Sequence, residues 1–171
     1  MIKKYLLAPG PTPVPESVLL AMAQPIFHHR TPQFEALFAD TAKSLQKLFK
    51  TSQDVVMLAS SGTGAMEAAV TNTTSPGDRV LVVNGGKFGE RWGKISATYG
   101  LQVTELKVEW GTAVDPAAIA KALKEHPETK LVLMQGSETS TTVLHPVAEV
   151  AKITRETDTS TGNPSIMANL V

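Results

Sequence analysis

From Asp54 onward the chain alternates between apolar runs and helix-patterned stretches, and this rhythm constrains its fold more than any other feature. The apolar runs are Val55–Ala59, Arg79–Asn84, Gln102–Val108 and Lys130–Gln135. Helical patterns fill the gaps at about 63–73, 88–98, 115–125 and 146–157. Pro76-Gly77-Asp78, Gly85-Gly86, Gly100 and Pro127 mark the turns, and Asp115-Pro116 reads as an N-cap followed by proline at the first helical position. Alternation of this kind predicts an α/β protein with a mostly parallel sheet and helices on both faces. Ligands of such sheets collect at the carboxyl ends of the strands.

The ends of the chain break the rhythm. Four prolines within residues 8–15 exclude a helix interior or a central strand, so residues 1–15 read as an extended arm. A short helix is expected from Pro15-Glu16 to about Gln24. A longer one starts at Pro32 with Thr31 as N-cap and an apolar stripe of Phe34, Leu37, Phe38, Leu45, Leu48 and Phe49. At the other end, residues 160–171 are polar, carry Gly162 and Pro164 early, and make a poor central strand. The expected organisation is therefore an arm over 1–15, a partial α/β domain over 16–159, and an atypical tail over 160–171 that reads as frameshifted or foreign.

Composition narrows the function classes. Hydrophobic residues at 42% and charged residues at 19% fit a globular chain, and 16 basic against 16 acidic residues give no electrostatic reason for nucleic acid or an acidic membrane as partner. There is no cysteine, which removes thiolate chemistry and fits a reducing cytoplasm. No apolar run is long enough for a bilayer, and the opening residues do not read as a signal peptide. His28-His29-Arg30 lacks metal-ligand spacing, so no metal site is expected; Arg30 is open to a carboxylate partner, a capping role or solvation. Trp92 and Trp110 are too far apart to form a stacking platform for nucleic acid.

Three polar loops fall at strand ends. Ser60-Ser61-Gly62-Thr63-Gly64 follows an apolar run and opens a helix, an order that places backbone N–H groups and hydroxyls around a phosphate. The same turn also serves simply to let a helix approach a sheet. It is no Walker A loop, and Glu67 stands where a dinucleotide fingerprint needs its third glycine. Asn84-Gly85-Gly86-Lys87-Phe88 offers Phe88 either to stack on a flat ring or to pack in the core. Gln135 to Thr142 is rich in hydroxyls that either meet a ligand or cap the loop.

Taken in order, the segment 8–15, His29-Arg30, Ser60–Ala68, Gly86–Arg91 and Glu138-Thr139-Ser140-Thr141 resemble class V pyridoxal-phosphate aminotransferases. The alanine–glyoxylate and serine–pyruvate group is most similar, together with the proteins called soluble hydrogenase small subunit. The resemblance spans about residues 5–159. It implies the large domain of a fold type I enzyme, incomplete here, with its active site at a homodimer interface. It implies pyridoxal 5′-phosphate as cofactor, its phosphate held at Thr63, Gly64 and Ala65, its ring against Phe88 and its phenolic side near Ser140. Gly10 and its neighbours would line the substrate pocket. The implied activity of the full-length parent is amino-group transfer between a small amino acid such as serine or alanine and glyoxylate or pyruvate.

Two departures weigh against activity in this chain alone. The family places an aspartate for the ring nitrogen on the strand after the 146–157 helix and then supplies the Schiff-base lysine, but residues 160–171 contain no Asp, Glu or Lys. No catalytic residue is therefore assigned. The alternative reading is a non-catalytic module that binds phosphate esters or dimerises.

Overall fold

A computed structural model describes residues 6–8, 10–161 and 166–170. Parts of the expected arm (residues 1–5 and 9) and of the expected tail (162–165 and 171) lie outside the described residues. The chain forms two compact units, Met1–Leu58 and Ala59–Val171.

The first unit carries α1 (Glu16–Met22) and α2 (Pro32–Phe49). Thr31 caps α2 by accepting the Phe34 N–H at 3.4 Å, and Pro32 fills the first turn, as the sequence predicts. Lys50 closes the helix in the left-handed conformation (φ 50°). The apolar stripe of α2 forms, and Phe34 packs against Phe27 and Phe38. No residue of either helix is buried, and Leu37, Phe38, Leu48 and Phe49 are exposed.

The second unit is an α/β sandwich in chain order α3 (Gly62–Thr73), β1 (Arg79–Asn84), α4 (Lys87–Thr98), β2 (Gln102–Lys107), α5 (Pro116–Glu125) and β3 (Thr129–Gln135). A short antiparallel hairpin follows, β4 (Ser137–Glu138) with β5 (Val143–Leu144), then α6 (Val147–Thr161) and β6 (Ile166–Leu170). The sheet order is β2-β1-β3-β6 and every pairing is parallel. Successive strand residues point to opposite faces, and the core divides accordingly. Val80, Val82, Leu131 and Leu133 pack with Met66, Val70, Trp92 and Ile95 from α3 and α4. Leu81, Val83, Val132 and Met134 pack with Ile119, Leu123 and Val150 from α5 and α6. Helices thus cover both faces, which is why β1 and β3 are nearly continuous apolar runs.

Two expectations change. Val55–Ala59 is not a strand: Val56, Met57 and Leu58 are exposed in irregular backbone. An apolar run becomes a strand only when a neighbour completes its hydrogen-bond ladder, and none of the described strands pairs with it. Conversely, the tail supplies a strand after all. Residues Ile166–Leu170 lie parallel to β3 with Asn169 opposite Met134 and Leu170 opposite Gln135, at one end of the strand order and not in its middle.

Candidate functional site

A cavity of about 320 Å³ opens beyond the carboxyl end of β3. Its wall comes from three places distant in sequence: Ser61, Gly62, Thr63 and Met66 from the start of α3, Phe88 and Arg91 from the start of α4, and Gln135, Ser137 and Thr139 from the end of β3 and the hairpin. That is where parallel α/β sheets present ligands, and the size falls at the lower end of small-molecule sites.

The α3 terminus has the properties of an anion site. Among the described helices, α3 alone has neither an acidic residue in its first turn nor a capping residue aimed at its amides: α1, α2, α4 and α6 start with Glu16, Glu35, Glu90 and Glu149, and α5 has Asp115. Gly62 and Thr63 stand on the cavity wall at this terminus, which carries the helix's partial positive charge with no side-chain cap. Arg91 brings a full positive charge to the same place. Its guanidinium donates to the Thr63 hydroxyl at 3.0 Å and lies 5.0 Å from the Phe88 ring centroid. Phe88 itself is half-buried and on the cavity wall.

The structure sorts the residues singled out in the sequence. Thr63 and Phe88 line the cavity. Gly64 lies one residue further into α3, where its N–H is bonded to the Ser61 carbonyl at 2.9 Å, and Ala65 follows it. Ser140 is turned elsewhere: its hydroxyl donates to Glu138 and accepts the Lys87 N–H at 3.0 Å, while its neighbour Thr139 stands on the wall. Gly10 is in the first unit, exposed, with open space around it. Lys87, the lysine closest in sequence to Phe88, pairs with Glu90 at 3.0 Å and lies over the Trp110 ring instead of facing the cavity. Arg91 and Thr139 had no role assigned from sequence. Their signal was weak, because an arginine one turn after an aromatic and a threonine among hydroxyls are common.

The described residues hold no group of three potential metal ligands, and no described helix is long and apolar enough to cross a membrane.

His145 is buried, and its Nδ1 accepts the Val114 N–H at 3.0 Å, a bond that needs the neutral ring. Burial pushes the His145 pKa below its ordinary value, against the opposing pull of the Glu138 carboxylate. The unfolded chain then takes up a proton that the folded chain refuses. The His145 contribution to stability is complete well above the unfolded pKa of about 6.5 and is lost as pH falls from there through the lowered folded pKa. Urea unfolding between pH 7.5 and 5 is expected to show this decline, and His145→Gln should flatten it; equal slopes for both chains would contradict the assignment.

The residues present fit part of a pyridoxal 5′-phosphate site. They offer an uncapped helix terminus, a hydroxyl and an arginine for the phosphate, and an aromatic face for the ring. Among the described residues, no Lys, His, Asp or Glu lines the cavity, so neither a covalent anchor nor a carboxylate for the ring nitrogen is among the described lining residues.

Comparison with known proteins agrees with this architecture. Residues 4–161 match the family described as aminotransferase class-V. The soluble hydrogenase 42 kDa subunit of Anabaena cylindrica is 43% identical over 156 residues, a match covering 90% of this chain and 41% of that protein. Among solved structures, a subgroup IV aspartate aminotransferase from Thermus thermophilus superposes with a TM-score of 0.88 at 34% identity, covering 97% of this chain and 45% of its own. An alanine–glyoxylate aminotransferase from Nostoc sp. gives 0.88 at 30% identity, covering 98% and 43%. The chain thus spans less than half the length of these relatives and corresponds to their N-terminal portion. With the fold, the motif order and these matches in agreement, the chain belongs to the class V aminotransferase family.

Proposed function

We propose that the cavity is a pyridoxal 5′-phosphate site that holds the cofactor without a covalent bond, and that the 171-residue chain does not turn over substrate alone. The observation that carries the reading is the convergence of the α3 terminus, Arg91 and Phe88 on one cavity. The amides of Gly62 and Thr63 and the Thr63 hydroxyl would bind the phosphate, with Arg91 neutralising its charge. Phe88 would lie against the ring and Gln135, Ser137 and Thr139 would border its polar edge. Bound there, pyridoxal phosphate supplies an electron sink for amino-acid chemistry. The protein side of that chemistry needs a group that moves a proton, and the described residues of the cavity wall include none.

In the longer relatives' context, the reading extends to amino transfer between a small amino acid such as serine or alanine and glyoxylate or pyruvate. A cytoplasmic homodimer is part of the same proposal. The exposed apolar stripe of α2 supports an association surface, and sedimentation tests it.

The test combines titration with trapping. Pyridoxal phosphate added to the chain should give saturable binding, no stoichiometric pyridoxyl-lysine after borohydride and peptide mapping, and no transaminase turnover with any of these donor–acceptor pairs. A stoichiometric pyridoxyl group on Lys87 together with turnover would overturn the reading. Binding of simple phosphate esters as tight as that of pyridoxal phosphate would favour the general phosphate-ester module.

Phe88→Ala is expected to weaken pyridoxal phosphate binding by about 1–3 kcal/mol, the range for an aromatic stacking partner. Fluorescence titration checks it. A loss of stability with unchanged affinity of the folded fraction would place Phe88 in a packing role only.

A further inference from the structure

We infer that Glu138 is the positioning residue of this cavity: its buried carboxylate occupies the N-terminus of α4, fixes Phe88, and leaves α3 as the terminus that receives a ligand phosphate. The directing half of the inference rests on the phosphate reading above.

Two helices start at the cavity, α3 through Gly62 and Thr63 and α4 through Phe88. Left alone, both termini would attract an anion, and a phosphorylated ring would have two competing orientations. Glu138 removes one of them. It is 1% exposed. Its Oε2 accepts the N–H groups of Phe88 at 3.2 Å and Gly89 at 3.0 Å, while Oε1 accepts the Ser140 N–H at 3.3 Å and the Ser140 hydroxyl. Ser140 in turn accepts the Lys87 N–H at 3.0 Å. The first three amides of α4 are thus satisfied by residues 138 and 140, those of Phe88 and Gly89 through charge-assisted bonds to the carboxylate.

The backbone makes room for this arrangement. A Cβ on Gly86 would stand 2.5 Å from the Glu138 side chain and 2.6 Å from the Ser140 hydroxyl oxygen. Glu138 also acts beyond its own contacts. By holding the Phe88 amide it sets the first turn of α4, and Arg91, one turn on, lies over the Phe88 ring and reaches Thr63. One buried carboxylate therefore places both the ring-facing aromatic and the phosphate-facing cation.

The experiment uses the 171-residue chain labelled with ¹⁵N, in wild-type, Glu138→Gln and Glu138→Ala forms. Each is titrated with inorganic phosphate, and amide hydrogen exchange is measured alongside. In the wild type, phosphate should shift the Gly62 and Thr63 amides and leave Phe88 and Gly89 unmoved. In Glu138→Ala, exchange at Phe88 and Gly89 should accelerate about tenfold, as for loss of a charge-assisted hydrogen bond, and phosphate should now shift these two amides as well. Glu138→Gln keeps the shape and should show the faster exchange alone; where the alanine variant fails to fold, this exchange decides the anchoring role and the wild-type phosphate response decides the directing role.

Unchanged exchange at Phe88 and Gly89 in the variants would overturn the anchoring role. Faster exchange in a folded Glu138→Ala chain with no new phosphate response would overturn the directing role, as would a phosphate response at Phe88 and Gly89 in the wild type. Silence at Gly62 and Thr63 in the wild type would instead sink the phosphate reading and the directing role with it, while exchange at Phe88 and Gly89 would still decide whether Glu138 anchors α4.

Discussion

Gly64→Glu should abolish pyridoxal phosphate binding while the chain stays folded. Gly64 sits in the first turn of α3, and a Cβ there would meet only the Ser60 side chain, whose Cβ is 2.7 Å away. The Ser60 hydroxyl can rotate away, but its Cβ is fixed to the main chain, so relief needs a shift of the exposed, irregular backbone at Ser60, which is bonded only locally to the Ser61 carbonyl. The fold therefore tolerates the substitution better than the site does. A carboxylate in the first turn is favourable for the helix, and for that reason it competes with the ligand phosphate for the same amides. Two like charges about 4 Å apart near a protein surface repel by about 4 kcal/mol, roughly a thousandfold in affinity. Titration followed by absorbance, with circular dichroism as the folding control, checks the effect. Unchanged affinity in a folded variant would remove the phosphate from α3.

Gly89→Val should act on the fold. Gly89 lies in the first turn of α4, on its sheet-facing side, and a Cβ there would stand 2.6 Å from the Val83 carbonyl oxygen and 2.9 Å from the Asn84 Cα. Both obstacles are backbone of β1, held in ladders with β2 and with β3 through its earlier residues, so no side-chain adjustment relieves the clash. Overpacking against rigid backbone belongs at or beyond the upper end of the usual cost, about 3 kcal/mol or more, a large share of the stability of a small unit. The urea midpoint should fall sharply or the chain should fail to fold. An unchanged midpoint would mean that α4 does not pack this closely on β1.

The sequence made the second unit legible because local pattern and tertiary role agree there. Val80 to Val83 and Leu131 to Met134 are apolar at every position, and both faces of the sheet are in fact covered. Val55–Ala59 has the same pattern and forms no strand, since pairing depends on a neighbour that its own residues do not specify. The strand at Ile166–Leu170 was hidden by the polar stretch before it. At the site, the loops were legible and the assignment of side chains within them was not. Glu138 and Gly89 are 49 residues apart in sequence and 3.0 Å apart in space, and the same long-range bonds draw Ser140 away from the wall and leave Thr139 on it.

The most direct test is a crystal structure of the chain grown with pyridoxal 5′-phosphate. The expected result places the phosphate within hydrogen-bond distance of the Gly62 and Thr63 amides and of Arg91, with the ring against Phe88 and no bond to any lysine. A phosphate seated at another terminus, or a ring bonded to a lysine, would contradict the account.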